Sequence, residues 1–155
     1  MQKNQIHAAL EALKKIKMPK IEDKALRNAL IDDHYAIYDA GIKHDKAVER
    51  EREVILGAYK NDEQKIADLQ RELQAALPGE EQREIAKQII GFKDYDVAAR
   101  KFNQKVTELG KEEVKGLKKI DREKFMEEIA KQDFDLGMIE GLYPLFELEE
   151  EKKEK

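Results

Sequence analysis

A single proline–glycine pair, Pro78–Gly79, constrains this chain more than any other feature. No proline interrupts the stretch between Pro19 and Pro78, so helical patterning can continue there for roughly fifty residues, a rod on the order of 80 Å at about 1.5 Å rise per residue. Gly57 and Asn61–Asp62 are its weak points. Before the pair lie Val48, Ile55, Ile66, Leu69 and Leu73; after it lie Ile85, Ile89, Phe92, Ala99, Phe102 and Leu109. In an αα-hairpin, residues that face each other have nearly constant summed numbers. Leu73 with Ile85, Leu69 with Ile89 and Ile66 with Phe92 each add to 158, while Ile55 with Phe102, Ala58 with Ala99 and Val48 with Leu109 each add to 157. Apolar residue therefore meets apolar residue down two arms of similar length, 44–77 and 80–110, as antiparallel knobs-into-holes packing requires. The predicted fold is mainly α: a long antiparallel helical hairpin, coiled-coil-like, with a small helical head.

The head draws on both ends of the chain. Ile6, Leu10, Leu13 and Ile16 keep one face of a first helix apolar, and Met18–Pro19 ends it. A second helix starts near Glu22–Asp23, where acids suit the positive helix end, and Leu26, Leu30, Ile37 and Gly41 hold its apolar side. Val114, Leu117 and Ile120 around Gly116 fit either a helix or a minor β-strand at 113–120. Asp121 is a good N-cap for a helix over 122–131 carrying Phe125, Met126 and Ile129. The organisation expected is one α-helical domain over 1–146, with the arm at 44–110, the head from 1–43 and 111–146, and a charged, flexible tail at 147–155.

Composition narrows the chemistry. Charged residues make up 41% of 155, aromatics only 6%, and mean hydropathy is −0.79. Such a chain suits solvated helices that bury narrow stripes. Zero cysteines exclude disulfides, Fe–S clusters and thiolate zinc sites, and the absence of serine, with Thr107 the sole threonine, removes serine-based catalysis. No glycine-rich phosphate loop occurs, and Asp133-Phe-Asp135 lacks the later acids and glycine of an EF-hand. No apolar run reaches membrane-spanning length and no signal-peptide core is visible at the N-terminus, so a cytoplasmic protein without membrane contact is expected.

Three groups of residues compete as sites. Asp32, Asp33, Tyr35, Tyr38 and Asp39, with His34, form the densest polar–aromatic cluster and contain the parts of an acid/base pair, but more often such residues form a helix with tyrosine rings on the core edge. The histidines His7, His34 and His44 show no Glu-x-x-His pattern, and His34 and His44 are too far apart along a helix to share a metal. No catalytic residue, cofactor or metal is expected, and the protein is read as not an enzyme. Residues 1–20 carry five lysines against Glu11, a net +4, and Lys14, Lys15 and Lys17 support an alternative reading as a nucleic-acid-associated accessory protein, although no Arg–aromatic interleaving accompanies them. Leu142, Tyr143, Leu145 and Phe146 are either a partner-docking patch or the plug of a core poor in aromatics. Tyr59 and Tyr95, with Ile31, Val54 and Ile90, fall off the calculated seam and are candidates for contact with a second copy or another protein.

The order of these features is a short amphipathic helix, the Tyr-containing stretch His34-Tyr35-Ala36-Ile37-Tyr38, a charged helical arm, and the ending Asp135-Leu-Gly-Met-Ile-Glu-Gly-Leu-Tyr-Pro-Leu-Phe146. It resembles small uncharacterised proteins of tailed bacteriophages and prophages, in which a helical region precedes a short apolar C-terminal segment. The resemblance implies a phage-encoded assembly or accessory protein acting in the host cytoplasm. It assigns no residue a role.

Overall fold

A computed structural model describes residues 1–148 of the chain, so most of the predicted tail, 149–155, lies outside the described residues. The described residues form six α-helices: α1 (Ile6–Lys15), α2 (Lys24–Leu56), α3 (Lys60–Ala75), α4 (Glu80–Ile90), α5 (Lys93–Gly110) and α6 (Arg122–Ile129). The backbone stays helical from α2 into α3, tightening to a 3-10 turn at Gly57–Tyr59, beside the weak point at Gly57. The chain divides into two compact units, one from residues 1–45 together with Leu109 onward, the other Lys46–Glu108.

The first unit holds the larger core. Ile6, Ala9 and Leu13 of α1 face Leu30 and Ile37 of α2 in one cluster with Phe125 and Ile129 of α6, and all are buried. A short 3-10 turn, Met18–Lys20, holds Pro19 and leads to Asp23, whose carboxylate accepts the Leu26 N–H at 3.0 Å and starts α2. The Glu128 carboxylate adds to this start: it accepts the backbone N–H groups of Glu22 at 3.0 Å and Asp23 at 3.2 Å. Those donors, chiefly that of Glu22, hold the Glu128 carboxyl below its usual range against the opposing effect of desolvation. Asp121 caps α6 as expected, accepting the Lys124 N–H at 3.1 Å.

Residues 136–145 form a 3-10 helix lying against α1. Its approach is close: a Cβ added to Gly141 would stand 2.5 Å from the Ala8 carbonyl oxygen. The strand considered at 113–120 does not form. Glu113 bridges Gln2 and Ile120 bridges Phe146, each as an isolated pair, and between them Gly116 turns the chain at φ +79. One bridge at each end of a turning segment leaves no run long enough for a ladder. Past the second bridge the Glu147 N–H donates to the Ile120 carbonyl at 2.9 Å, so that residue is tied to the first unit.

The second unit is the antiparallel hairpin, α3 returning as α4 through Pro78–Gly79, where Gly79 takes φ +116 and ψ −134, a conformation open essentially to glycine alone. At the tip the Gln82 side chain donates to the Ala76 carbonyl and the Leu77 N–H donates to a Glu81 carboxylate oxygen, closing the turn. Farther down, the register differs from the sequence expectation. Tyr59 meets Tyr95, and Arg52 lies over the Phe102 ring at 5.7 Å, pairs that add to 154 instead of 157. Leu56 and Ala98, which also add to 154, are buried there, while Ile55 is half-buried and Ala58 exposed. The returning arm breaks between α4 and α5 at Gly91–Phe92, and non-helical residues advance farther than 1.5 Å each, so this arm spans the same length with fewer residues. The result is a slip of about one turn.

Candidate functional site

The polar–aromatic cluster on α2 is split by the helix itself. Asp33 continues the buried 3-4 spacing of Leu30 and Ile37 and is fully buried, whereas Tyr35 and Tyr38 point to solvent. The Asp33 Oδ1 accepts the Lys118 backbone N–H at 2.6 Å; its Oδ2 is buried with no hydrogen-bond partner among the described residues. Desolvation pushes the Asp33 carboxyl up from 3.8 to about 6, aided by the Asp32 charge and opposed by the Lys118 N–H and by the Lys118 and Lys119 charges. The neighbours are paired outside: Asp32 with the Lys118 ammonium, and Asp39 with Lys43 at 2.9 Å. Acid and tyrosines thus face opposite sides of one helix, and the arrangement does not assemble an acid/base pair. It does dock the 114–120 segment onto α2.

The histidines separate likewise. His34 lines a shallow groove of about 350 Å³ with Ile31, Tyr35 and Tyr38, while His7 and His44 border another cleft of about 310 Å³. Among the described residues no group of three or more His, Asp or Glu side chains is placed to hold a metal ion. Lys14 and Lys15 lie in the last turn of α1, where positive charge complements the helix dipole, and Lys14 is 3.8 Å from Glu11.

Of the two sets of candidate partner-binding residues, the structure gives Leu142, Leu145 and Phe146 the core-plug role and places Tyr59 and Tyr95 elsewhere than expected. Leu142, Leu145 and Phe146 are interior, with Phe146 packed on Phe125 at 5.3 Å between ring centroids, so burial withdraws them from any docking surface. Tyr143 alone of the four is half in water, with Arg122 over its ring at 5.7 Å. Tyr59 and Tyr95 meet edge to face at 6.4 Å, which puts them in the hairpin seam and not on an outward face; burial pushes the Tyr95 hydroxyl above its ordinary value. Val54 and Ile90, by contrast, are 74% and 71% exposed, as the off-seam reading expects, and Val97 is exposed with them.

Sequence reasoning missed the stripe formed by Ile31, Tyr35, Tyr38 and Ile42. Its 4-3-4 spacing was the available signal, obscured because the same helix carries a second apolar face at Leu26, Leu30 and Ile37.

The chain matches no family model, no curated protein and no solved structure. Among the described residues no helix is long and apolar enough to cross a membrane.

Proposed function

We propose that this chain is a non-enzymatic interaction or assembly protein, phage- or prophage-encoded, that acts by helical self-association or by binding a protein partner. The observation that carries the reading is the outward display of Val54, Leu77, Ile90 and Val97 on a hairpin rich in charged residues. A two-helix unit has little interior: Leu56, Ile85 and Ala98 are its buried apolar residues, and the outward side chains gain burial only against another molecule. The element order, ending in Asp135–Phe146, resembles that of small phage proteins, and the phage reading rests on that resemblance.

Sedimentation equilibrium from low micromolar to millimolar concentration tests self-association. A mass that rises with concentration, reduced by Val54→Glu with Ile90→Glu, is the expected result. A strict monomer throughout removes self-association, and capture of no protein by the tagged chain in phage-infected cells then removes the interaction reading altogether.

A further inference from the structure

Between its two bridges the 115–119 segment is held by few contacts. Val114 and Ile120 are buried at its ends, but of the residues between them Leu117 alone is half-buried and the others are exposed. Among the described residues the Lys118 N–H is the one backbone group of 115–119 that bonds to the rest of the chain, and its acceptor is Asp33. Two side chains add ties at the surface: the Lys118 ammonium pairs with Asp32, and the Lys119 ammonium donates to the Pro144 carbonyl at 2.8 Å. Both ties are exposed, and water competes for their partners. Gly116, at φ +79 with open space around it, gives the segment its turn.

The acceptor lies in a demanding place. Asp33 is fully buried; one carboxylate oxygen accepts the Lys118 N–H, and the other has no partner among the described residues. The charged groups acting on it are Lys118 and Lys119 from the segment and Asp32 from its own helix. From the other elements of this unit, α1, α6 and the 136–145 3-10 helix, the cluster that holds Leu30 and Ile37 takes apolar side chains, among them Leu13, Phe125 and Leu142. An ionised carboxylate there exchanges most of its hydration for one hydrogen bond, whereas a protonated one loses far less. Lifting the segment returns water to the carboxylate, and that return favours the ionised form most.

We infer that residues 115–119 form a strap over α2 that opens locally, apart from the core of its unit, and opens more readily once Asp33 is ionised. The opening uncovers Asp33 and Leu117 while the bridges at Glu113 and Ile120 stay in place. It exposes little apolar surface, because Leu117 is the one large apolar side chain that moves, so it lies at the low-stability end of the unit's motions.

The direction with pH follows from burial. Desolvation, the largest cause, raises the Asp33 carboxyl to about 6 in the closed strap, and rehydration lets it return toward 3.8 in the open one. The closed form thus holds the proton more tightly, and its advantage shrinks as pH rises from 3.8 to about 6. Between pH 5 and pH 7 the opening equilibrium rises about tenfold.

Amide hydrogen exchange of the wild-type chain, followed by NMR and divided by the intrinsic rate at each pH, tests the strap. The Lys118 amide is expected to be at least tenfold less protected than the Ile37 amide of α2, which exchanges only when the core opens. Its protection is expected to fall about tenfold from pH 5 to pH 7. Asp33→Asn, which still offers an oxygen to the same N–H, is expected to abolish that fall. Equal protection of Lys118 and Ile37 overturns the local opening. Lys118 protection that is the same at pH 5 and pH 7 in the wild type, or a tenfold fall that persists in Asp33→Asn, overturns the part given to Asp33. The wild-type measurement decides on its own if the variant does not fold.

Discussion

Asp33 and Lys118 are joined by a hydrogen bond of 2.6 Å in which the backbone N–H of Lys118 donates to a fully buried carboxylate. The contact spans 85 positions in sequence and fixes the 114–120 segment to α2. Its cost is a desolvated charge, visible as the rise of the Asp33 carboxyl to about 6.

The sign of the pH effect follows. Between 3.8 and about 6 the folded chain holds the Asp33 proton more tightly than the unfolded chain, so stability from this group falls as pH rises through that window and levels off above it. From pH 5 to pH 7 the loss is about 1 kcal/mol. Asp33→Asn retains an oxygen for the Lys118 N–H and removes the titration. Denaturant midpoints at pH 5, 6 and 7 are expected to favour the variant progressively over the wild type, and a wild-type advantage that stays constant with pH contradicts the assignment.

Two glycines separate close packing from chain flexibility. At Gly141 a Cβ would meet the Ala8 carbonyl oxygen at 2.5 Å and its carbon at 2.9 Å, both backbone atoms of α1, so one element must move. Gly141→Ala is expected to destabilise by roughly 1–3 kcal/mol. At Gly57 the nearest atom is a Glu53 carboxylate oxygen at 3.5 Å, the end of a flexible side chain. Gly57→Ala is expected to stabilise by up to about 1 kcal/mol through the lost freedom of the unfolded chain. Thermal unfolding of the two variants should move in opposite directions.

Local signals were the legible ones. Pro78–Gly79 as the hairpin tip, the Asp121 cap and the buried side of α1 each depend on a few neighbouring residues whose physics does not change with context. Leu142, Leu145 and Phe146 were ambiguous because an apolar run states that it needs cover without stating what provides it; the cover proves to be the molecule's own core. Asp33 could have been placed, since it continues the 3-4 spacing of Leu30 and Ile37, but an acid on an apolar face is ordinarily read as solvated. The facing of Tyr59 and Tyr95 was hidden by the break at Gly91–Phe92, because a summed-number rule assumes equal rise along both arms.

That slip can be measured in solution. If the lower hairpin follows the observed register, the Tyr59 and Tyr95 rings interact directly at 6.4 Å, and their contributions to stability are not independent. Tyr59→Ala, Tyr95→Ala and the double variant form a cycle in which the coupling is expected at about 0.5–1.5 kcal/mol, the range of edge-to-face aromatic pairs. The sequence-derived register pairs Ile55 with Phe102 and Ala58 with Ala99, leaving both tyrosines outward and predicting a coupling near zero. Urea denaturation of the four proteins at one pH distinguishes the two registers, because the same substitutions remove a seam contact in one and two unrelated surface rings in the other.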